Sequence, residues 1–569
     1  MFKLIQITVF LTPIAILTIT KDNFIIKETI AQILLSCGLC LYIVNGSEAC
    51  VPFTPAFSFR ACFARKLRGV NGRLTIPIIL YLVAIILSIV NAKHTQLVFS
   101  VLSLQLLFGF VYLASLEWTN SRREGIFDTV LLTGILVSIY GILQHFGYDF
   151  IHWATNFGGR PSSSFGNPNF FAGYLVTVIP VSIVSAFSYN KTRKILWIIL
   201  SALLILNLFF NKTRGAWVAF LVSFIYIMFV LKLYRNKKFL FVLVAVIFWC
   251  VFFLKSNIKN YIVQKFNKNE PSVVERIFKW QTAFEMIKAH PLTGVGAGNL
   301  KVNFALYQAN VREKAKFQLK GTSESNVHNE YFQVCAETGI IGLVIFLSIF
   351  VTYFVNLFKQ KINAVSAGLS AGVLGFLVYG LSNFPLEITP TAITVFLFLG
   401  LTEQGNKDVC KTPGAKIDKK NWFLRIVMAV IFVVFVWRSA VLPFIADIYR
   451  KSGDDAQIEG NYPKAINQYE KSIGLDYVNS ERTAYDLGEV YRRLGNIDGA
   501  ISAYRVSIDI RNYGEVYNNI GNCYWLKGDI DEAIKNWQTA LRLGLPKAED
   551  QENVKKNIEI AKLKKSSSS

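Results

Sequence analysis

The chain has 569 residues, is 53% hydrophobic and 14% aromatic, and carries a formal net charge of +23 at a mean hydropathy of +0.39. It is too apolar for a soluble enzyme and too long for one domain, which leaves a polytopic membrane protein. The positive charge does not indicate nucleic acid, because the basic residues fall in short clusters between apolar runs, where they orient helices in a bilayer.

In chain order, uninterrupted apolar stretches predict about thirteen membrane helices, near 4–20, 29–45, 74–92, 97–115, 127–146, 169–187, 195–211, 216–234, 239–254, 338–358, 364–382, 388–402 and 422–441. Cys37 and Cys40, within ILLSCGLCLYIV, read as small residues in a membrane helix, and the eight cysteines show no disulfide spacing. No cleavable signal is evident, since the first apolar stretch is followed by another. Lys and Arg occupy every second loop: Arg60 to Arg73, Arg122 and Arg123, Lys191 to Lys194, Lys232 to Lys238, Lys359 and Lys361, and Lys407 to Lys420. The positive-inside rule then makes the N terminus cytoplasmic, and parity places both the hydrophilic connection 255–337 and everything after the last helix outside the cytoplasm. The expected fold is all-α: a membrane domain over 1–445, followed by a helical-repeat domain over 446–569.

That second domain is read from GNYPKAINQYEKSI, GNIDGAISAYRVSI and GDIDEAIKNWQTAL. Gly460, Gly495 and Gly528, Ala465, Ala500 and Ala533, and Tyr469, Tyr504 and Trp537 recur in register. The pattern resembles tetratricopeptide repeats, paired helices in which small residues let backbones approach and aromatics fill the groove. Such repeats serve as a packing spacer or as a concave surface for a partner protein.

Four polar islands fall on the predicted outer side: GGRPSSSFGNPNF (158–170), NKTRGAW (211–217), ERIFKWQTAFEMIKAHPLTGVGAGN (275–299) and SNVHNEYFQVCAETGIIG (325–342). They bring Arg160, Lys212, Arg214, Arg276 and His328 to one leaflet. Snorkelling to the headgroups would explain any one of these arginines alone. Together they suit a diphosphate, whose oxygens a planar guanidinium grips in paired charge-assisted bonds. In VVERIFKWQTAFEMI, the recurrence of Val273, Ile277, Trp280, Phe284 and Ile287 predicts an amphipathic helix lying at the membrane interface. GVGAGN follows a helix instead of a strand and is assigned to a turn. The islands hold no histidine pair at ligand spacing, so no metal and no other cofactor is expected.

The motifs SSSFGNPNFFAGYL, KTRGAW, MIKAHPLTGVGAGN and HNEYFQVCAETGIIGL, in that order between apolar helices, resemble the O-antigen ligase family, which includes O-oligosaccharyltransferases and polysaccharide polymerases; the likeness covers roughly 70–400. The resemblance implies a multi-pass protein of a bacterial inner membrane. Such an enzyme moves a glycan from undecaprenyl diphosphate to an acceptor glycolipid or protein on the outer face, with neither metal nor nucleotide. It assigns the family's essential histidine to His328 and its arginines to Arg214 and Arg276. Arg160, Lys212 and Glu330 are placed as substrate contacts from their position on the same side. A sugar diphosphate is a good leaving group, so arginines that stabilise its departing charge suffice. The acceptor hydroxyl is a poor nucleophile and needs a base, for which His328 suits. Inversion at the anomeric carbon is then expected. Glu330 is the rival base, and Glu337 would orient the histidine or cap the next helix. A repeat-unit polymerase and a non-enzymatic lipid-binding assembly scaffold are the alternatives.

Overall fold

A computed structural model describes residues 1–15, 23–45, 74–116, 118–151, 157–236, 271–315, 326–403 and 419–568. The expected span at 239–254, the cluster from Arg60 to Arg73, and Lys407, Lys411 and Lys416 lie outside them. All regular elements among the described residues are helices. The first part of the chain forms α1 (Phe2–Ile14), α2 (Asn23–Asn45), α3 (Thr75–Leu87), α4 (Thr95–Ser115), α5 (Asn120–His145), α6 (Pro168–Ser188), α7 (Lys191–Asn211) and α8 (Arg214–Val230). The hydrophilic connection contributes α9 (Pro271–Ala289) and α10 (Leu300–Ala315), and the bundle resumes with α11 (Glu330–Phe358), α12 (Ala364–Gly380), α13 (Thr389–Glu403) and α14 (Lys419–Val436). Among the described residues six helices are long and apolar enough to cross a membrane: α4, α5, α6, α7, α11 and the continuous Ala429–Ile458; five more are apolar but shorter.

The bundle is organised around α6, which is buried along nearly its whole length and packs against α7, α8 and α12. Apolar burial cannot draw helices together when the surrounding lipid is equally apolar, so close approach of small residues has to do it. Gly368, Gly372 and Gly375 put that stripe on α12. A methyl group on Gly375 would sit 2.8 Å from both the Val176 carbonyl and Ser223 Oγ, and one on Gly372 would run into the Thr177 carbonyl. Ser223 on α8 donates to Ala371 O at 2.9 Å, adding a polar clasp to the same contact.

Helix α11 breaks at Gly339, whose φ of +71° lies in the left-handed region. The turn at 291–296 fills the break. Ile340 N donates to Pro291 O at 2.8 Å, while Val295 N and Gly296 N donate to Ala336 O and Glu337 O at 2.9 and 3.0 Å. GVGAGN is therefore a turn, as its sequence context predicts, and it satisfies backbone groups that the break in α11 leaves open.

α14 runs through a π-helical turn, Trp437–Val441, directly into α15 (Leu442–Ile458), so no linker separates bundle from repeats. The repeats continue as α16 (Tyr462–Leu475), α17 (Glu481–Arg493), α18 (Ile497–Ile510), α19 (Gly514–Lys527), α20 (Ile530–Leu543) and α21 (Ala548–Ser568). The recurring glycines do not serve close approach, as the sequence reading had it. Gly460, Gly495 and Gly528 end helices at φ of +78°, +75° and +82°, with open space around them. The next residues, Asn461, Asn496 and Asp529, cap the following helices by accepting from Lys464 N, Gly499 N and Glu532 N. Close approach falls to a second set, Gly453, Gly488 and Gly521. A methyl group there would meet the rings of Tyr469, Tyr504 and Trp537 at 2.5, 2.5 and 2.6 Å.

The repeats sit on the hydrophilic connection. Leu97, Val302 and Val478 form a small apolar cluster, Lys301 donates to Asn479 at 2.6 Å, and Arg542 pairs with Glu313 at 3.4 Å. Exposed pairs of this kind contribute little singly, so the apolar cluster and the continuous helix set the placement. Between bundle and repeats lies a cavity of about 500 Å³, with Glu330, Gln333, Glu337 and Glu387 on one wall and Asp476 and Glu481 on the other.

Candidate functional site

At one end of the bundle, two sequence islands are joined by side chains that bond to backbone. Asn167 caps α6, accepting from Asn169 N at 2.8 Å, and Pro168 takes the first helical position, where no amide hydrogen is needed. Asn211, fully buried at the end of α7, donates to Pro161 O and Pro168 O at 3.0 and 2.8 Å. Arg160 completes the joint. Its Nε donates to Asn211 O at 2.8 Å, and its Nη2 reaches Thr213 Oγ1 at 2.8 Å and Asn169 Oδ1 at 3.3 Å. Burial pulls the Arg160 guanidinium below its ordinary pKa, the mark of a cation held away from water by neutral partners.

Opposite stands His328. It takes a left-handed backbone, φ +53°, immediately before the α11 cap. Asn329 Oδ1 accepts from Tyr331 N and Phe332 N at 3.0 and 3.1 Å, and Asn329 Nδ2 donates to Leu381 O at 3.0 Å. The cap thereby pins the histidine to the α12–α13 connection, with its ring edge-on to Phe384 at 5.3 Å. Trp280 of α9 closes the other side, donating Nε1 to Val327 O at 3.1 Å and stacking on Phe332.

Tyr379 links the two halves. Its hydroxyl donates to Asn169 O at 2.7 Å and accepts from Asn383 Nδ2 at 2.8 Å. Both Arg160 and Arg276 act on it electrostatically. Gly215, next to Arg214 at the start of α8, packs against Ser382 and the Tyr379 ring, so the exposed Arg214 opens its helix beside the same connection.

His328 is held well below its ordinary value, at about 4. Burial is the main cause, followed by the positive charges of Lys279 and Arg276, while Asn383 and Glu275 pull in the opposite direction. The imidazole is therefore neutral near pH 7, and its buried Nδ1 makes no hydrogen bond. A neutral ring with a free nitrogen among cations can take up a proton once an anion offsets those cations.

The residues expected at the site do not all meet. Arg160, Arg276 and His328 converge on Tyr379 and Asn383, with Arg214 alongside; Lys212 is exposed at the left-handed end of α7. Glu330 stands apart. Buried, it accepts from Leu386 N at 2.9 Å and lines the cavity under the repeats. Glu337 neither orients the histidine nor caps its own helix, because its carboxylate meets the amides of Gly298 and Leu300 at the start of α10. Glu387, on the α12–α13 connection, is pushed well above the carboxylate range by burial and by Glu337 and Glu330.

Sequence reasoning passed over Lys279, Tyr379 and Asn383. The predicted stripe on α9 divides: Ile277 and Phe284 are exposed and Trp280 stacks on Phe332, while Phe278, Lys279, Thr282 and Met286 are buried. Lys279 is 2% exposed and tied to Glu275 at 2.7 Å. A fifth polar island, SNFPLE (382–387), was the available signal for the α12–α13 connection. Among the described residues no group of three or more His, Cys, Asp or Glu side chains is arranged to hold a metal ion.

An all-helical, multi-pass bundle with apolar helices of spanning length, continued by tetratricopeptide-like repeats, defines a membrane protein with a helical-repeat extension. Residues 172–347 match the O-antigen ligase family model, and 438–512 and 514–543 match tetratricopeptide repeat models. The chain thus carries an O-antigen ligase domain, a type associated with glycan transfer in polysaccharide biosynthesis, followed by tetratricopeptide repeats. Among curated proteins, it is similar to the photosystem I assembly protein Ycf3 of Rippkaea orientalis (strain PCC 8801 / RF-1), at 25% identity over 115 residues. The same protein of Prochlorococcus marinus (strain MIT 9211) matches at 30% over 115 residues. Each match covers 17% of this chain and 66% of the relative's length. Among solved structures, a chain from the crystal structure of the APC/C hetero-tetramer Cut9–Hcn1 aligns over 94% of this chain and 92% of its own. At 12% identity and a TM-score of 0.21, that alignment carries no inference about the fold.

Proposed function

We propose that this protein transfers a glycan from an undecaprenyl diphosphate carrier to an acceptor hydroxyl at the outer face of a bacterial inner membrane, with inversion at the anomeric carbon. The observation that carries the reading is the neutral, buried imidazole of His328 facing Arg276 and Lys279, with Arg160 across Tyr379. The acceptor oxygen attacks the anomeric carbon as the bond from that carbon to the diphosphate oxygen breaks. The hydroxyl proton passes to His328, and the leaving diphosphate keeps the electron pair under Arg276, Arg160 and Arg214. One displacement inverts the centre. Guanidinium groups in a water-poor site stabilise the departing charge far better than they would in water.

The donor also corrects the base. Alone, His328 is a weak proton acceptor, but a bound diphosphate offsets Arg276 and Lys279 and returns the ring toward its ordinary basicity. The orientation is supported by the charges at the other end of the bundle, where Arg193 pairs with Glu124 and Asp128 at 2.9 and 3.0 Å and where Arg123 and Lys361 line one pocket. The repeats then lie outside, where they could hold a protein acceptor or partner.

The test uses the full chain in nanodiscs with a polyprenyl-diphosphate-linked glycan and candidate acceptors. His328→Ala and Arg214→Ala variants that insert normally should lose transfer by a factor of about a hundred or more. Retained transfer in both would remove the mechanism. Elongation of the donor glycan itself would identify a polymerase.

A further inference from the structure

We infer that Tyr379 and Asn383 are positioning residues that couple occupancy of the arginine site to the orientation of the His328 imidazole. The inference rests on the reading of His328 as the base. Neither residue lies within the 172–347 family match.

Three observations carry it. First, Tyr379 and Asn383 are 1% and 3% exposed, and a buried hydroxyl or amide is costly unless its bonds are made. The Tyr379 hydroxyl is engaged on both sides, donating to Asn169 O and accepting from Asn383 Nδ2. A phenylalanine would fill the same space at lower desolvation cost, so packing alone does not call for the oxygen. Second, the path is continuous. Arg160 bonds the Asn169 side chain, Tyr379 bonds the Asn169 carbonyl, Asn383 bonds Tyr379, and the next residue, Phe384, packs its ring against His328. Third, both ends of the α12–α13 connection, which carries Asn383 one turn beyond Tyr379 of α12, are fastened. Asn329 holds Leu381 O, and Leu386 N is held by Glu330.

A diphosphate that draws Arg160 or Arg276 toward it therefore alters the partners of Tyr379. The hydroxyl fixes which way the Asn383 amide faces, and Asn383 in turn acts on the imidazole. Neither residue needs to touch substrate.

The experiment compares Tyr379→Phe, Asn383→Asp and His328→Ala as full-length chains in nanodiscs, with thermal unfolding as the check on folding and a lipid-diphosphate glycan as donor. Tyr379→Phe should lower kcat about tenfold with donor KM changed less than about threefold, because the hydrogen bond acts through the base and not through binding. Asn383→Asp keeps the volume and sets a carboxylate beside the imidazole. It favours the protonated ring, so the acid limb of the kcat profile should move to higher pH by at least about half a unit. A merely structural role would lower the rate equally at every pH. The inference is overturned if Tyr379→Phe keeps kcat within twofold, or if Asn383→Asp leaves the acid limb in place, while His328→Ala is inactive. If His328→Ala is active, the reading beneath it fails instead.

Discussion

Replacing Lys279 with methionine should make His328 a stronger base. In the free protein the imidazole sits at about 4 instead of 6.5, a depression worth about 3 kcal/mol against its protonated form. Burial accounts for the largest part, and Lys279 is the larger of the two cationic causes. The substitution removes that charge and also frees the Glu275 carboxylate, now 2.7 Å from the ammonium, to act on the ring. Both changes favour protonation, so the acid limb of kcat/KM for the donor should rise on the order of half a pH unit to one unit. Lys279→Arg keeps the charge and should leave the limb in place. The assay is transfer from a lipid-diphosphate glycan across pH 4 to 8; a diphosphate diester does not titrate in that range, so the limb belongs to the protein. A limb unmoved or lowered by Lys279→Met would refute the electrostatic account of the base.

Other outcomes follow from the same geometry. Gly339→Ala should destabilise the protein by about 2 kcal/mol or more, since a methyl there collides with the Leu292 carbonyl at a left-handed φ; a fall in thermal midpoint checks it. His328 also makes stability depend on pH. The unfolded chain binds a proton below about 6.5 that the folded chain refuses until about 4, so stability is full above that window and falls as pH drops through it. His328→Gln should flatten the midpoint over that range, and an unchanged slope would show that the ring is not buried as described. Prior treatment with a chelator should leave transfer unaltered, measured against an untreated sample.

Much of this was legible in the sequence. Apolar runs and the recurring glycine, alanine and aromatic positions announced a helical bundle and a repeat domain, because burial and backbone satisfaction act over short stretches of chain. Arg160, Arg276 and His328 could be named because each stands in a polar island between apolar runs. What periodicity could not supply was the side of α9 that packs. Ile277 and Phe284 of its apolar stripe are exposed while Trp280 and Ile287 pack inward, and the buried face carries Lys279, paired with Glu275. Tyr379 escaped for a related reason. An aromatic in an apolar helix reads as lipid-facing or core, and only the fold shows that its hydroxyl meets a carbonyl 210 positions away in the chain.

The interlock of Gly294 and Gly339 constrains how the site can admit anything. A methyl on Gly294 would lie 2.6 Å from Ala336 O, and one on Gly339 would strike Leu292, so neither position has room for a side chain. With three further amide bonds across the seam, the turn and the upper part of α11 move as one rigid piece. A lid that hinged there would have to break every bond at once. If the site takes a lipid-linked donor, as proposed, that donor has to reach it without opening this seam.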